Sequence, residues 1–133
     1  MEEIEIDLVG ELGASEAGSP QILTLYIPSV DKYGADIANQ DKWVEEAGIL
    51  LSNIGGGVTI NPPSRGGWKS NTGEIIWDNT IILYSYIKAE DLIQNITNLK
   101  KFLLRLERET NQGEVACQFD GVFYKIIDYD QEV

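Results

Sequence analysis

Apolar and polar positions along this chain follow two periods. From Thr80 to Ile87 every residue is apolar, aromatic or a small hydroxyl residue, and such a run predicts a central β-strand. Strand alternation sends Ile81, Leu83, Ser85 and Ile87 to one face, read as the core face, and Thr80, Ile82, Tyr84 and Tyr86 to the other. A second strand is predicted over Ile22 to Ile27, ended by Pro28, with Leu23, Leu25 and Ile27 on one side and Thr24 and Tyr26 on the other. Trp43, Ala47, Leu50, Leu51 and Ile54 recur instead at helical spacing, which predicts a helix over 41–54, with Asn39 or Asp41 as N-cap and Gly55 beyond its end. Leu92, Ile96, Leu99, Leu103 and Leu106 form a longer stripe, predicting a helix over 89–110 closed by Asn111-Gln112-Gly113.

Shorter segments fill the intervals. Val58-Thr59-Ile60 starts a strand after the glycine triplet Gly55-Gly56-Gly57. Asn61 to Gly67, with two prolines and two glycines, is read as a loop or a bulged crossing at the sheet edge. Trp68-Lys69-Ser70 and Glu74 to Trp77 flank Asn71-Thr72-Gly73 as a hairpin, and Glu114 to Phe119 and Val122 to Ile127 flank Asp120-Gly121 as another. Near the start, Ile4, Ile6 and Leu8 alternate with acids, which suits an edge strand, but Gly10 to Pro20 has linker composition. The expected organisation is a flexible acidic arm over 1–20, one domain over 21–128 and an acidic tail over 129–133.

Strand, helix, two strands, helix, strand is the split β-α-β order of an α+β domain. It predicts a ferredoxin-like antiparallel sheet with two helices on one face, and the closing hairpin adds a strand. Trp43 in the first helix, Gly57-x-Thr59, Gly67-Trp68, Gly73-x-Ile75 and Gln112-Gly113-Glu114-Val115 carry a resemblance to an uncharacterised bacterial family of small ferredoxin-like domains, over about residues 22–119. Two features depart from that pattern: the loop from Asn61 to Gly67 is long, and the export signal found in many members is absent. The resemblance implies the fold and leaves the activity open.

Charge narrows the partners. Twenty-two acidic residues against ten basic ones give a net charge of −12, which repels nucleic acid and anionic membranes and leaves a basic protein as a possible partner. Without histidine, and with Cys117 as the one cysteine, the chain has no imidazole catalysis, no intrachain disulfide and no histidine zinc site. No metal or cofactor is expected. An acidic amino terminus and the lack of a long apolar run point to a cytoplasmic protein.

Candidate chemistry is correspondingly sparse. The glycine triplet follows a helix and precedes a strand, the reverse of a phosphate loop, and reads as a helix cap and turn. Glu74, Asp78, Glu114 and Asp120 have no fixed pairing and read as solvated acids. Tyr26, Arg65, Trp68, Lys69, Glu74 and Trp77 are candidates for a small pocket suited to an acidic or aromatic ligand. Tyr26, Ile82, Tyr84 and Tyr86 are candidates for a dimer face, because a large exposed apolar patch on a sheet calls for a cover. The expected function is a non-enzymatic binding or interaction module, homodimeric through its open sheet face. The alternatives are a small cofactorless enzyme of the dimeric ferredoxin-like type and an acidic inhibitor or antitoxin-like partner of a basic protein.

Overall fold

A computed structural model describes residues 4–127, so the acidic tail expected over 129–133 lies outside the described residues. In chain order the elements are α1 (Leu8–Leu12), β1 (Ile22–Ile27), α2 (Gln40–Gly55), β2 (Thr59–Ile60), β3 (Ser64–Lys69), β4 (Ile75–Tyr86), α3 (Ala89–Gln94), α4 (Ile96–Glu109), β5 (Val115–Phe119) and β6 (Val122–Ile126). The fold is mixed α+β. Its sheet runs β2-β4-β1-β5-β6 with every pairing antiparallel, and β3 joins β4 beyond the end of β2.

β4 lies inside the sheet because it has strand partners along both edges. One edge takes β1, with Ile22 opposite Tyr86 and Ile27 opposite Ile81. The other takes first β2 and then β3, two short strands laid end to end along one long one.

The alternation read from the sequence decides which side is covered. Leu23, Leu25, Ile27, Leu83, Ser85, Ile87, Val115 and Cys117 are all buried, and they share a face by register. On that face they join Trp43, Ala47, Leu51 and Ile54 of α2 and Leu99, Phe102, Leu103 and Leu106 of α4 in one core, so both long helices pack on the same side. Fully buried leucines and isoleucines each contribute about 1.5–3 kcal/mol of transfer free energy, which makes this layer the principal source of cohesion. Trp43 meets Phe102 edge to face at 5.9 Å where the helices touch. Above that contact the Arg105 guanidinium pairs with Glu46 and sits 5.2 Å from the Trp43 ring centroid.

Three expectations need correction. Ile4 to Leu8 does not form a strand. Residues 4–7 are irregular and a short helix starts at Leu8, because Asp7 Oδ1 accepts the Gly10 amide at 3.2 Å and Gly13 takes a left-handed conformation that ends the turn. The helix expected over 89–110 is two helices, broken at Asn95, whose side chain donates to the Asp91 carbonyl at 2.8 Å while its own backbone leaves helical geometry. The first hairpin is longer than composition suggests: β3 begins at Ser64, inside the stretch read as a loop, and β4 runs unbroken through Asp78-Asn79. The two prolines fall just outside β3, and at the sheet edge the glycines cost less than they would centrally.

Candidate functional site

Two surfaces stand apart from the helix-covered core. The first is the sheet face opposite the helices. Register places Phe123, Gln118, Thr24, Tyr84 and Thr59 in one row across β6, β5, β1, β4 and β2. Ile22 and Tyr86 flank that row on one side, and Tyr26 and Ile82 on the other. Among the described residues no helix lies over this face, and α1 buries no side chain anywhere. Tyr86 is 56% exposed and Phe123 53%, high values for large apolar rings in the middle of strands.

The rings are nevertheless ordered against each other. Tyr84 and Tyr86 meet edge to face at 6.3 Å, and Tyr26 meets Phe123 at 5.8 Å. The Tyr26 hydroxyl donates to Gln118 Oε1 at 3.0 Å, and desolvation raises its pKa above the ordinary phenol value, with a smaller contribution from Cys117. Burial likewise raises the Cys117 thiol, so this cysteine is a neutral core residue. From Thr80 upward the one charged residue at a strand position of this face is Lys125, in a chain of thirty-two charged residues, ten basic and twenty-two acidic.

At the margin of that face lies a shallow groove of about 350 Å³, lined by Gly55 to Thr59 on one side and Tyr84 to Tyr86 on the other. Its shape follows from the glycines. A Cβ on Gly55 would lie 2.7 Å from Ile87 Cγ1 and 3.0 Å from the Tyr86 carbonyl oxygen, so only glycine lets the end of α2 touch β4. Gly56 then takes φ 88° as the helix cap, and Ser85 donates from the core side to the Gly57 carbonyl at 2.6 Å. This loop caps a helix, as its position in the sequence implies.

The second surface is the hairpin β3–β4 beyond the helices. Gly67 stands opposite Trp77, and a Cβ there would come within 2.9 Å of the Trp77 ring, so the indole covers the glycine. The Arg65 guanidinium lies 4.4 Å from the centre of that ring, within cation–π range. Gly67, Trp68, Lys69, Ile75 and Trp77 bound a second shallow groove of about 320 Å³.

The candidate residues therefore separate into two groups. Arg65, Trp68, Lys69 and Trp77 come together on the hairpin. Glu74 is exposed beside the turn at Gly73, and Tyr26 sits on the sheet face with Ile82, Tyr84 and Tyr86. Asp78 is engaged structurally, accepting both the amide and the hydroxyl of Ser29 at 2.7 Å. Sequence reasoning passed over Phe123, although the Asp120-Gly121 turn and the buried Cys117 together fix it on the open face opposite Gln118. Among the described residues no group of three or more acids and cysteines is disposed to hold a metal ion, and no helix is long and apolar enough to cross a membrane.

Known structures share this fold. A phage SAM lyase in complex with S-methyl-5′-thioadenosine superposes with a TM-score of 0.57 at 14% identity, over 84% of this chain and 92% of that one. The apo phage SAM lyase gives 0.55 at 15% identity, over 85% and 93%. At such identities the likeness is one of fold. No protein-family model and no curated protein matches the chain.

Proposed function

We propose that this protein is a ferredoxin-like binding domain that self-associates through its open sheet face. The observation that carries the reading is the group of rings Phe123, Tyr26, Tyr84 and Tyr86, the outer two exposed and the inner two half-buried, on a surface almost free of charge. At a net charge of −12, two copies approaching through most of their surface repel each other, whereas this patch brings together apolar area with little like charge. The strand order also supports the ferredoxin-like assignment: the strand after α2, β2 continued by β3, borders β4, while β4 separates it from β1 and β5 closes the other side of β1.

Light scattering on the full chain tests the reading. The wild type is expected to be dimeric or larger at micromolar concentration. Ile82→Glu, which puts a carboxylate among the rings, is expected to give a folded monomer with an unchanged far-ultraviolet circular dichroism spectrum. A monomeric wild type would remove the proposal.

A second reading rests on the fold shared with an enzyme seen bound to S-methyl-5′-thioadenosine: cleavage of S-adenosylmethionine. A sulfonium expels a neutral thioether, which leaves with the electron pair of the broken C–S bond. The carbon is satisfied by loss of a neighbouring proton or by attack of the substrate's own carboxylate. Such chemistry asks mainly for a held conformation, within reach of a chain without histidine. The acidic surface attracts a cationic substrate, and the Tyr84–Tyr86 groove has the volume of a nucleoside site. Incubation with S-adenosylmethionine should then release S-methyl-5′-thioadenosine, read by chromatography, and Tyr84→Ala should cut the rate at least tenfold. No release at micromolar protein would leave the binding domain as the reading.

A further inference from the structure

We infer that β3 receives the amino-terminal arm of a second copy of this chain as an added strand. Its occupant is the segment Ile4 to Leu8.

β3 pairs with β4 alone, so its outer edge has no strand partner among the described residues. An open strand edge presents unpaired amides and carbonyls, a template for main-chain pairing. The two faces of this hairpin differ. Arg65, Gly67 and Lys69 share one face with Ile75 and Trp77, while Ser64, Gly66 and Trp68 share the other with Ile76. β3 carries two cations and no acid.

The arm is the complement. The first cation in the chain is Lys32, and ahead of it stand seven acids, Glu2, Glu3, Glu5, Asp7, Glu11, Glu16 and Asp31. Ile4, Ile6, Leu8 and Leu12 are all exposed, Ile4 at 87%. Over Ile4 to Leu8 the apolar residues alternate with Glu5 and Asp7, a strand pattern, and α1, which opens at Leu8 on the Asp7 cap and buries no side chain, unwinds its first turn when this segment pairs. An antiparallel register that sets Ile4, Ile6 and Leu8 on the Trp68–Ile76 face places Glu5 and Asp7 among Arg65, Gly67 and Lys69. One pairing then satisfies strand edge, apolar row and charge together.

The chain's own arm leaves the β3 edge open, with residues 4–7 irregular and Leu8 opening α1, so the edge is free for the arm of a second copy. The arm leaves the sheet beside the far end of β4, where Ser19 Oγ donates to the Ile87 carbonyl and the Ile87 amide donates to Gln21. The β3 edge lies along the opposite half of β4, from Thr80 to Ile75. Exposed ion pairs add little individually, so main-chain pairing and the cover over Trp68 supply the binding while the charges select the segment.

Tryptophan emission of the full chain tests the inference, because Trp43 is buried whereas Trp68 and Trp77 are exposed. Raising the wild-type concentration should shift the emission to the blue and protect it from iodide. Arg65→Glu with Lys69→Glu, or Glu5→Lys with Asp7→Lys, should weaken that transition at least tenfold. Mixing the two double variants should restore it, since in a mixed pair the acidic arm meets the cationic edge and the lysine-bearing arm meets the glutamate-bearing edge. The Ile82→Glu chain, monomeric at the micromolar concentrations of the light-scattering test, should still show the transition at higher concentration, which separates this weaker contact from association through the sheet face. Emission that ignores concentration, or double variants that behave as wild type, would overturn the inference.

Discussion

From Ile81 to Tyr86, β4 pairs with β1 along one edge and, at Leu83 and Tyr84, with β2 along the other, and it has α2 over one face and two buried side chains, Leu83 and Ser85. From Ile75 to Thr80 the same strand has a partner along one edge only, and no residue is buried. Side-chain type does not explain the difference, since Ile75, Ile76 and Trp77 are as apolar as Ile81, Ile82 and Leu83. Position does. α2 packs over the half of β4 that β1 also borders, while the other half projects as a hairpin. One half supplies cohesion, and the other displays aromatic and cationic side chains at little structural cost.

The sharpest way to break this comparison is to truncate one apolar residue in each half. Leu83→Ala removes a side chain enclosed by sheet and helices and should cost about 3–4 kcal/mol of unfolding free energy, the range for buried leucine truncations. Ile75→Ala removes one that is half in water and should cost under about 1 kcal/mol. Urea unfolding followed by circular dichroism measures both. Equal losses would mean that the hairpin is as cooperative with the core as β1 is, and the division would fail.

Much of the covered half was legible in the sequence, because burial there imposes period two on β1 and β4 and period 3.6 on α2. Leu23, Leu25, Ile27 and Leu83 carry that signal with no exception. The hairpin was less legible for the same reason: without a buried face, Ser64 to Lys69 has no alternation to display, and Pro62-Pro63 with Gly66-Gly67 outweighed its strand character. Asn95 was missed because the apolar stripe passes through it without interruption, while the break comes from one side-chain hydrogen bond to Asp91. At the candidate surfaces, the residue types of Tyr84, Tyr86, Trp68 and Trp77 were visible. Their division between sheet face and hairpin depends on how far β4 extends past the helices, which no local pattern encodes. The −12 charge pointed to what the surface repels, and only the register showed that the open face largely lacks it.

A finer division of the two halves comes from their glycines. Gly55 and Gly67 both sit where a Cβ would be closer than about 3 Å to a neighbour, yet the neighbours differ in their freedom to move. At Gly55 the obstruction is Ser85, Ile87 and the Tyr86 carbonyl, backbone and core side chains held against β1 and the core. Gly55→Ala should therefore push the end of α2 away from β4, at a cost of about 1–3 kcal/mol for overpacking. At Gly67 the obstruction is the Trp77 indole and the Ile75 side chain, both about half exposed. The indole can turn outward, so Gly67→Ala should cost under about 1 kcal/mol. It should still redden the Trp77 emission, because the ring gives up its cover over the glycine. Thermal unfolding ranks the two costs, and fluorescence reads the second one independently of stability. A large loss at Gly67 with a small one at Gly55 would reverse the assignment of rigid and yielding halves within a single strand.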